Sequence, residues 1–425
     1  MASSKILRVL VGAVVGAAVL IVAVNLVPAR RGAVLPVPHD YAASDPQFLA
    51  TMSSLTGGGS DTGHRVDTLV NGDQIFPAML EAIASARASV NFETYIYWSG
   101  KIGLKFATAL ATKAQQGVPV RVLVDAVGSI PFDQNLIDIM VNAGVSFERF
   151  RPIHWYTLDR LNNRTHRKLL IVDGSVGFTG GVGIGDQWLG NARNAEEWRD
   201  THYRITGPAV SAMQAAFAAH WLEATGEVLQ GRQFYPPPSA AGSLSSHLVL
   251  SSKPEGSSNM HLMMLMAIAA AERHIRIGMA YFVPDDITIE QLLDARRRGV
   301  EIDVIVPSDI TDVPIVRKGS RYFWGVLLQA GVRIHEYHTT MYHPKILIVD
   351  EAWVTVGSAN LDDRSLRLND EANVNVYGDD FAREQAAIFQ NDLSRSREIT
   401  LQEWASRPTM QKITDWFASL LRSQI

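Results

Sequence analysis

The sequence predicts an α/β fold of two similar lobes that follow an N-terminal membrane-spanning helix. Three observations support this prediction: a length of 425 residues, an internal repeat of helix–strand units, and a long uncharged stretch near the start of the chain. At roughly 100–200 residues per domain, this length corresponds to two to three domains. Two halves of about 160–170 residues can each enclose a hydrophobic core.

The membrane-spanning prediction rests on the stretch from Val9 to Val27, which contains no charged residue. As a helix rising about 1.5 Å per residue, this stretch nearly matches the ~30 Å hydrocarbon core of a bilayer. A cleaved signal peptide is the alternative, and Val27 and Ala29 suit a signal peptidase, but the apolar core of such a peptide is ordinarily only about 7–15 residues long. We therefore predict an uncleaved anchor over residues 1–31. Positive charges flank both ends, so the orientation stays open.

Two stretches with the composition of loops divide the rest of the chain. Residues 32–67 are rich in Gly, Pro, Ser and Thr, which predicts a flexible stalk with one candidate short helix over Phe48–Leu55. Residues 231–258 contain three consecutive prolines and Ser/Gly-rich tracts, which predicts a linker, with His247–Leu250 as a candidate edge strand that opens the second half. The first lobe is therefore expected over 68–230 and the second over 259–425.

An internal repeat relates the two lobes. An amphipathic helix followed by an alternating apolar strand occurs in both halves, and Ile83 aligns with Ile268 at an offset of 185. A second helix and a buried strand come next, where Val118–Val124 matches Val300–Val306 at an offset of 182. This alternation predicts α/β units around a largely buried sheet.

The repeat also duplicates an H-x-K-x4-D pattern at an offset of 177. On a strand, residues i and i+2 point the same way, so each His shares a face with its Lys. The two aspartates fall on the opposite parity, and we expect them to brace the structure rather than touch substrate. If the halves pack as a pseudo-two-fold pair, both histidines and both lysines converge on one cleft. The candidate residues are His166, Lys168, Asp173, His343, Lys345 and Asp350.

Two histidines and two lysines suit the cleavage of a phosphodiester. The lysines would neutralise the non-bridging oxygens. One imidazole, neutral near pH 7, would attack phosphorus and form a phosphohistidine, while the other would protonate the leaving alkoxide and then activate the incoming hydroxyl. Each histidine then needs a carboxylate to fix its tautomer. Asp200 and Glu371, which begin predicted strands at roughly matching places in the two halves, are the candidates.

Composition narrows the chemistry and the partners further. The chain contains no Cys, which excludes thiolate nucleophiles, disulfides and Cys-based metal sites, and we predict no cofactor and no metal. Its 39 Lys+Arg and 43 Asp+Glu give a formal net charge of −4. A nucleic-acid partner is not expected, because binding to nucleic acid depends on many cationic contacts to phosphates.

The paired motifs resemble those of the phospholipase D superfamily, and more narrowly those of bacterial cardiolipin synthases of the phospholipase D type. The resemblance covers roughly residues 68–377 and includes THRKLLIVDG, IGDQWLG and WRDTHYRITGPAV, then YHPKILIVD and VGSANLDDRSLRLNDEANV. It implies two lobes, each a mixed β-sheet flanked by helices, that share one active site and work without a metal. It also implies that His166 attacks phosphorus and that His343 is the acid and base, a choice that the internal symmetry leaves open.

The resemblance adds Ser358 and Asn360 as supporting residues, with the Asn contacting phosphate. The equivalent place in the first half, 17 residues after the His, is occupied by Gly183, so one amide donor is missing. We expect backbone N–H groups of the loop Gly180–Gly185 to replace it.

The resemblance implies a phosphatidyltransferase of the bacterial inner membrane. It would transfer a phosphatidyl group from one phosphatidylglycerol to another and release glycerol, so its expected partners are phospholipid and the lipid bilayer. A phospholipase D that hydrolyses phospholipid to phosphatidic acid is the main alternative, and a membrane-anchored nuclease is a further one. A non-catalytic interaction protein is disfavoured, because both copies of the motif keep their His, Lys and Asp.

Overall fold

The computed structural model describes residues 35–59, 61–154, 162–252 and 258–425, together with Gly12 and Gly16. Apart from those two glycines, the predicted anchor lies outside the described residues. Among the residues that are described, no helix is long and apolar enough to cross a membrane.

The described strands form one large mixed sheet and a small two-stranded one. The large sheet consists of β1 (Asp61–Val70), β2 (Val90–Thr94), β3 (Val120–Asp125), β4 (Ser146–Phe150), β5 (Leu169–Val172), β6 (Val176–Gly180), β7 (Thr201–Thr206), β8 (Leu244–Ser251), β9 (His274–Met279), β11 (Glu301–Pro307), β12 (Arg333–Tyr337), β13 (Lys345–Val349), β14 (Trp353–Gly357), β16 (Glu371–Tyr377) and β17 (Ser396–Ile399). The small sheet pairs β10 (Phe282–Val283) with β15 (Leu361–Asp362) in parallel.

Helices connect these strands and cover the faces of the sheet. They are α1 (Pro46–Thr56), α2 (Asn71–Ser85), α3 (Lys101–Gln115), α4 (Gln134–Asn142), α5 (Ala209–Thr225), α6 (Asn259–Ala269), α7 (Asp286–Arg297), α8 (Pro314–Gln329), α9 (Asp379–Leu393), α10 (Leu401–Ala405) and α11 (Thr409–Ser419). Local signals place several of their ends. Asp285 caps α7 by accepting from the backbone N–H of Thr288, and Thr400 and Glu403 form a capping box at the start of α10.

The sheet is continuous because β1 and β8 pair in antiparallel fashion at its centre. Outward from β1 the order is β7, β6, β5, β2, β3 and β4, and outward from β8 it is β16, β14, β13, β9, β11, β12 and β17. On one side β5–β2 is antiparallel and β2–β3–β4 is parallel; on the other, β13–β9 is antiparallel and β9–β11–β12 is parallel. The predicted mixed α/β architecture is confirmed.

Two segments predicted as connections are built into the fold instead. The stalk segment contains α1, whose Phe48 and Met52 are fully buried in a core that includes residues of α6, and it also contains the first part of β1. The linker segment contains β8, so the candidate strand at His247–Leu250 does form, but it lies at the centre of the sheet between β16 and β1 and not at an edge. Apolar residues at the right spacing within Gly- and Ser-rich sequence formed a helix and strands here, because tertiary packing overrode local composition.

Two short apolar strands end the segments that carry the site. Every residue of β5 (LLIV) and of β13 (KILIV) is buried, as expected for strands covered on both faces. The two histidines of the repeated motif lie just before these strands, each directly after an isolated bridge residue, Thr165 or Tyr342. Each motif is therefore anchored in the sheet by the strand that follows its histidine, β5 after His166 and β13 after His343.

Candidate active site

A cavity of about 600 Å³ brings together predicted site residues from both halves of the chain, although Lys345 is not among its lining residues. His166 and Lys168 line it from the first half, and His343 and Asn360 line it from the second. The rest of its lining consists of Tyr95, Ile96, Val127, Ile153, Asn162, Arg164, Trp188, Tyr281, Asp312, Val313, Val316, Asp362, Arg364, Ser365, Asn369, Gln424 and Ile425.

Each histidine binds a carboxylate from the opposite half of the sequence. His166 Nδ1 lies 3.0 Å from both carboxylate oxygens of Glu371. His343 Nδ1 lies 2.7 Å from Asp200 Oδ2. Because a carboxylate only accepts hydrogen bonds, both Nδ1 atoms carry the proton, and both Nε2 atoms keep a lone pair.

Backbone hydrogen bonds also connect each histidine to the opposite half of the sequence. The N–H of His166 donates to the carbonyl of Asp370 at 2.9 Å, directly before Glu371. The N–H of His343 donates to the carbonyl of Arg199 at 2.8 Å, directly before Asp200. Each histidine is thus held by backbone and side chain to the segment that supplies its carboxylate, at the start of β16 for Glu371 and directly before β7 for Asp200.

The first carboxylate is oriented by the second-half motif. Ser358 donates through its hydroxyl to Glu371 Oε2 at 2.5 Å, and the Ser358 hydroxyl accepts from the N–H of Ala372 at 3.0 Å. Asn369 donates to Glu371 Oε1 at 3.4 Å. Asn360 lines the cavity, and its buried side-chain oxygen has no hydrogen-bond partner among the residues that the structure describes.

The lysines are buried beside the histidines. Lys168 Nζ donates to the carbonyl of His166 at 2.8 Å. Lys345 Nζ donates to the carbonyl of His343 at 2.6 Å and lies 3.1 Å from His343 Nε2. Burial lowers the pKa of Lys168 to about 7 and that of Lys345 to about 8. An anionic ligand would favour the charged form of both ammonium groups.

The two imidazoles are also shifted towards the neutral form. Burial lowers the pKa of His166 to about 4, and the attraction of the Glu371 carboxylate acts in the opposite direction. Burial and the nearby Lys345 ammonium lower the pKa of His343, and the Asp200 carboxylate acts in the opposite direction. His166 is therefore neutral at pH 7 in the empty site, with its Nε2 lone pair available.

The two motif aspartates lie at the far ends of their strands and do not line the cavity. Asp173 accepts hydrogen bonds from the backbone N–H groups of Arg87, Ala88 and Ser89 at 2.6–3.0 Å. Asp350 accepts from those of Glu272, Arg273 and His274 at 2.7–2.8 Å. Each ties the turn before β2 or β9 to the end of β5 or β13. Contact with substrate is therefore not the role of either group.

The loop Gly180–Gly185, whose backbone N–H groups were expected to bind phosphate, does not line the cavity. A Cβ on Gly181 would lie 2.2 Å from Asp200 Oδ1, and one on Gly183 would lie 2.8 Å from Ile96 Cβ. These glycines let the strands and the Asp200 carboxylate pack closely, which leaves little room for a phosphate at the loop.

Several residues at the site carry no repeated signal in the sequence. Trp188 donates through Nε1 to Asp200 Oδ2 at 2.9 Å, and its ring lies 5.4 Å from that of His343. Tyr95 meets the His166 ring edge-on at 5.2 Å. Trp188 belongs to the IGDQWLG segment, so the resemblance pointed to the segment without assigning it a role. In the described residues, no group of three or more His, Asp or Glu is arranged to hold a metal ion.

Comparison with known proteins gives this site its context. The sequence profile of a family described as cardiolipin synthase, PLD-like domain, where PLD denotes phospholipase D, matches residues 79–221 and 264–393. Cardiolipin synthase 2 of Bacillus anthracis is 35% identical over 352 residues, which cover 82% of this chain and 68% of that protein. Cardiolipin synthase 1 of the same organism is 33% identical over 375 residues, covering 86% and 74%.

Solved structures show the same fold at low sequence identity. The phosphatidylserine synthase of Haemophilus influenzae Rd KW20 superposes with a TM-score of 0.68 over 89% of this chain and all of its own, at 13% identity. A polyphosphate kinase of Porphyromonas gingivalis superposes with a TM-score of 0.53, at 15% identity. With more than half of its residues matched by the family profile, this chain belongs to the cardiolipin synthase family of the phospholipase D superfamily and is an enzyme of its phosphatidyltransferase and phosphodiesterase class.

Proposed function

We propose that the enzyme transfers a phosphatidyl group between two phosphatidylglycerol molecules through a phosphohistidine and releases glycerol, so that its product is cardiolipin. The observation that carries this proposal is the pair of crossed histidine–carboxylate contacts, made in one cavity beside two buried lysines. We further propose that residues 1–31 anchor it in the bacterial inner membrane. Two duplicated lobes would correspond to residues 68–230 and 259–425, extended to include the first part of β1 and all of β8, and the matching strand order on the two sides of β1 and β8 supports them.

His166 is the proposed nucleophile. Its Nδ1–H is held by Glu371, so its Nε2 lone pair attacks phosphorus as the bond from phosphorus to the glycerol oxygen breaks. The pKa of about 4 supports this role, because a neutral imidazole is needed for attack. Ser358 and Glu371 support the imidazolium character that develops at His166 during the step.

His343 is the proposed acid and base. Its protonated Nε2 gives a proton to the departing glycerol oxygen in the first step. In the second step Nε2 takes the proton of a hydroxyl group on the incoming phosphatidylglycerol, whose oxygen attacks phosphorus while the phosphorus–nitrogen bond breaks. The negative phosphodiester and Asp200, at 2.7 Å, favour the imidazolium that the first step requires.

Lys168, Lys345 and Asn360 are proposed to bind the phosphate. The two ammonium groups would neutralise the non-bridging oxygens, which otherwise repel a nucleophile. Asn360 lines the cavity and would donate to a phosphate oxygen through its side-chain NH₂ group.

The overall reaction is tested by the products. Full-length protein reconstituted with radiolabelled phosphatidylglycerol is expected to yield cardiolipin and free glycerol in equal amounts. Formation of phosphatidic acid without cardiolipin would replace transfer by hydrolysis, and release of nucleotides from DNA or RNA would point to a nuclease.

The roles of the two histidines are tested by trapping the intermediate. The wild-type enzyme, quenched during turnover of phosphatidylglycerol labelled in the phosphate, is expected to carry acid-labile label. His166→Ala is expected to carry none, whereas His343→Ala is expected to accumulate label with a substrate whose leaving group needs no proton. Label that persists in His166→Ala and is lost in His343→Ala would reverse the two assignments.

A further inference from the structure

The C-terminal helix α11 presents its apolar side chains to solvent and buries a charged one. Met410, Ile413, Phe417 and Leu420, spaced by three and four residues along one face, are 43–70% exposed. Trp416, 45% exposed, borders this stripe and contacts Phe417 edge-on at 4.7 Å. An ordinary surface helix has the opposite arrangement, with its apolar face turned towards the core.

The buried side of α11 fixes its orientation. Asp415 is fully buried and accepts from Arg321 of α8 at 2.6 and 2.8 Å, while Ala418 is packed inside. Gly319 of α8 permits this close approach, since a Cβ there would lie 2.7 Å from Ile425 Cδ1 and 3.5 Å from the carbonyl of Ala418. The ion pair therefore holds the helix with its apolar stripe outward.

The same segment reaches the active-site cavity. Gln424 and Ile425, a few residues beyond α11, line the cavity, and Arg364 donates to the carbonyl of Gln424 at 3.1 Å. Further exposed apolar side chains lie at or beside the cavity wall. Ile153 is 53% exposed and lines the cavity, and Ile315 is exposed in the α8 turn that contributes Val313 and Val316 to the lining.

We propose that the stripe Met410–Leu420 docks on the surface of a phospholipid bilayer and brings the cavity to the lipid. The inference rests on the proposed function, in which a headgroup must reach His166 and His343 while its acyl chains stay in the bilayer. A bilayer fits better than a second copy of the chain, because the stripe continues into the wall of the cavity. Trp416 and the exposed Lys412 also match the aromatic and cationic residues of interfacial helices.

The absence of Cys from the sequence permits a direct measurement of depth. Phe417→Cys is labelled with an environment-sensitive fluorophore in the full-length chain and reconstituted in vesicles of phosphatidylcholine and phosphatidylglycerol. We expect strong quenching by acyl-chain-attached quenchers and weak quenching by iodide. Lys105→Cys, on the exposed side of α3, is the matched control and is expected to show the reverse.

Two outcomes of the labelling would overturn the proposal. The first is free access of iodide to the label at 417 in vesicles. The second is energy transfer between donor- and acceptor-labelled copies at 417, which would identify another copy of the chain as the occupant of the stripe.

A functional arm uses the double variant Ile413→Asn with Phe417→Ser. We expect turnover of phosphatidylglycerol in vesicles to fall on the order of tenfold or more, because two interfacial apolar contacts are lost. Turnover of monomerically dispersed short-chain phosphatidylglycerol is expected to stay at the wild-type level, and an equal loss on both substrates would contradict docking.

The labelling measurement requires no turnover, so it separates the two proposals. If the products show hydrolysis but the label at 417 lies in the bilayer, only phosphatidyl transfer is wrong. If cardiolipin forms while the label stays in water, only the docking surface is wrong.

Discussion

Replacing Asp200 by Asn should separate the two chemical steps. The Asp200 carboxylate is fully buried and accepts from His343 Nδ1 at 2.7 Å, from Trp188 Nε1 at 2.9 Å and from the N–H of Thr201 at 2.8 Å. All three partners are hydrogen-bond donors, so the NH₂ group of an asparagine at this position would face at least one donor and lose that hydrogen bond. The imidazolium of His343 would also lose its buried counter-charge.

The size of the effect follows from that geometry. A hydrogen bond to a charged partner contributes roughly 1.5–3 kcal/mol, and about 1.4 kcal/mol corresponds to a factor of ten. Loss of about 3 kcal/mol from the steps in which His343 moves a proton predicts a decrease in turnover of roughly 100-fold. The attack by His166 is affected much less, because its own carboxylate is Glu371.

The assay uses a phosphatidyl nitrophenol substrate, because nitrophenolate leaves without a proton. In Asp200→Asn we expect a first turnover close to the wild-type rate and then slow steady-state release, that is, a burst of about one equivalent per site. Loss of the burst together with the steady-state rate would refute the reasoning. So would an unchanged turnover of phosphatidylglycerol itself.

A matched control is available elsewhere in the fold. Asp303 binds His335 Nε2 at 3.1 Å and also pairs with Arg333, and neither Asp303 nor His335 lines the cavity. Asp303→Asn therefore breaks a histidine–aspartate contact of the same kind away from the site. We expect it to lower stability without producing a burst.

Three further predictions concern the lysines, the second-half serine and a motif aspartate. The pKa values are about 7 for Lys168 and about 8 for Lys345, so raising the pH through this range removes positive charge from the free enzyme. We therefore expect kcat/KM to fall above about pH 7–8, and a flat profile to pH 10 would contradict this. Ser358→Ala should lower kcat roughly tenfold through the lost hydrogen bond to Glu371, and it should also lower the urea midpoint because the N–H of Ala372 loses an acceptor; wild-type kcat would exclude the orienting role. Asp173→Ala should lower the free energy of unfolding by about 3 kcal/mol in urea titrations, while the pH dependence of the folded enzyme stays unchanged.

Much of the fold was accessible from sequence because its signals are local. Alternating helices and apolar strands predict α/β units around a buried sheet through spacing alone, and the resemblance implies that the sheet is mixed. The position of the first central strands was not accessible in this way. The stretch that contains α1 and the start of β1 has the composition of a stalk, and only the packing of Phe48 and Met52 against the second half reveals it as core.

The candidate site was likewise predictable from the sequence only in part. The H-x-K spacing placed His166 beside Lys168 and His343 beside Lys345, since residues two apart on an extended chain share a face. Sequence also drew attention to Asp200 and Glu371 as candidate carboxylates. It assigned no role to Trp188 or Tyr95, although both lie in segments that carry the resemblance, because only the fold brings their side chains against the histidines.

The sequence by itself determined which groups are available for the chemistry: it has no thiol, it carries two copies of a His–Lys motif, and it has candidate carboxylates at matching places in the two halves. The tertiary structure alone decided that each histidine takes its carboxylate from the other half, with His166 on Glu371 and His343 on Asp200. The physical reason is that spacing along a strand sets only which way a side chain points. Which partner it meets depends on how the strands that join at β1 and β8 bring distant segments together.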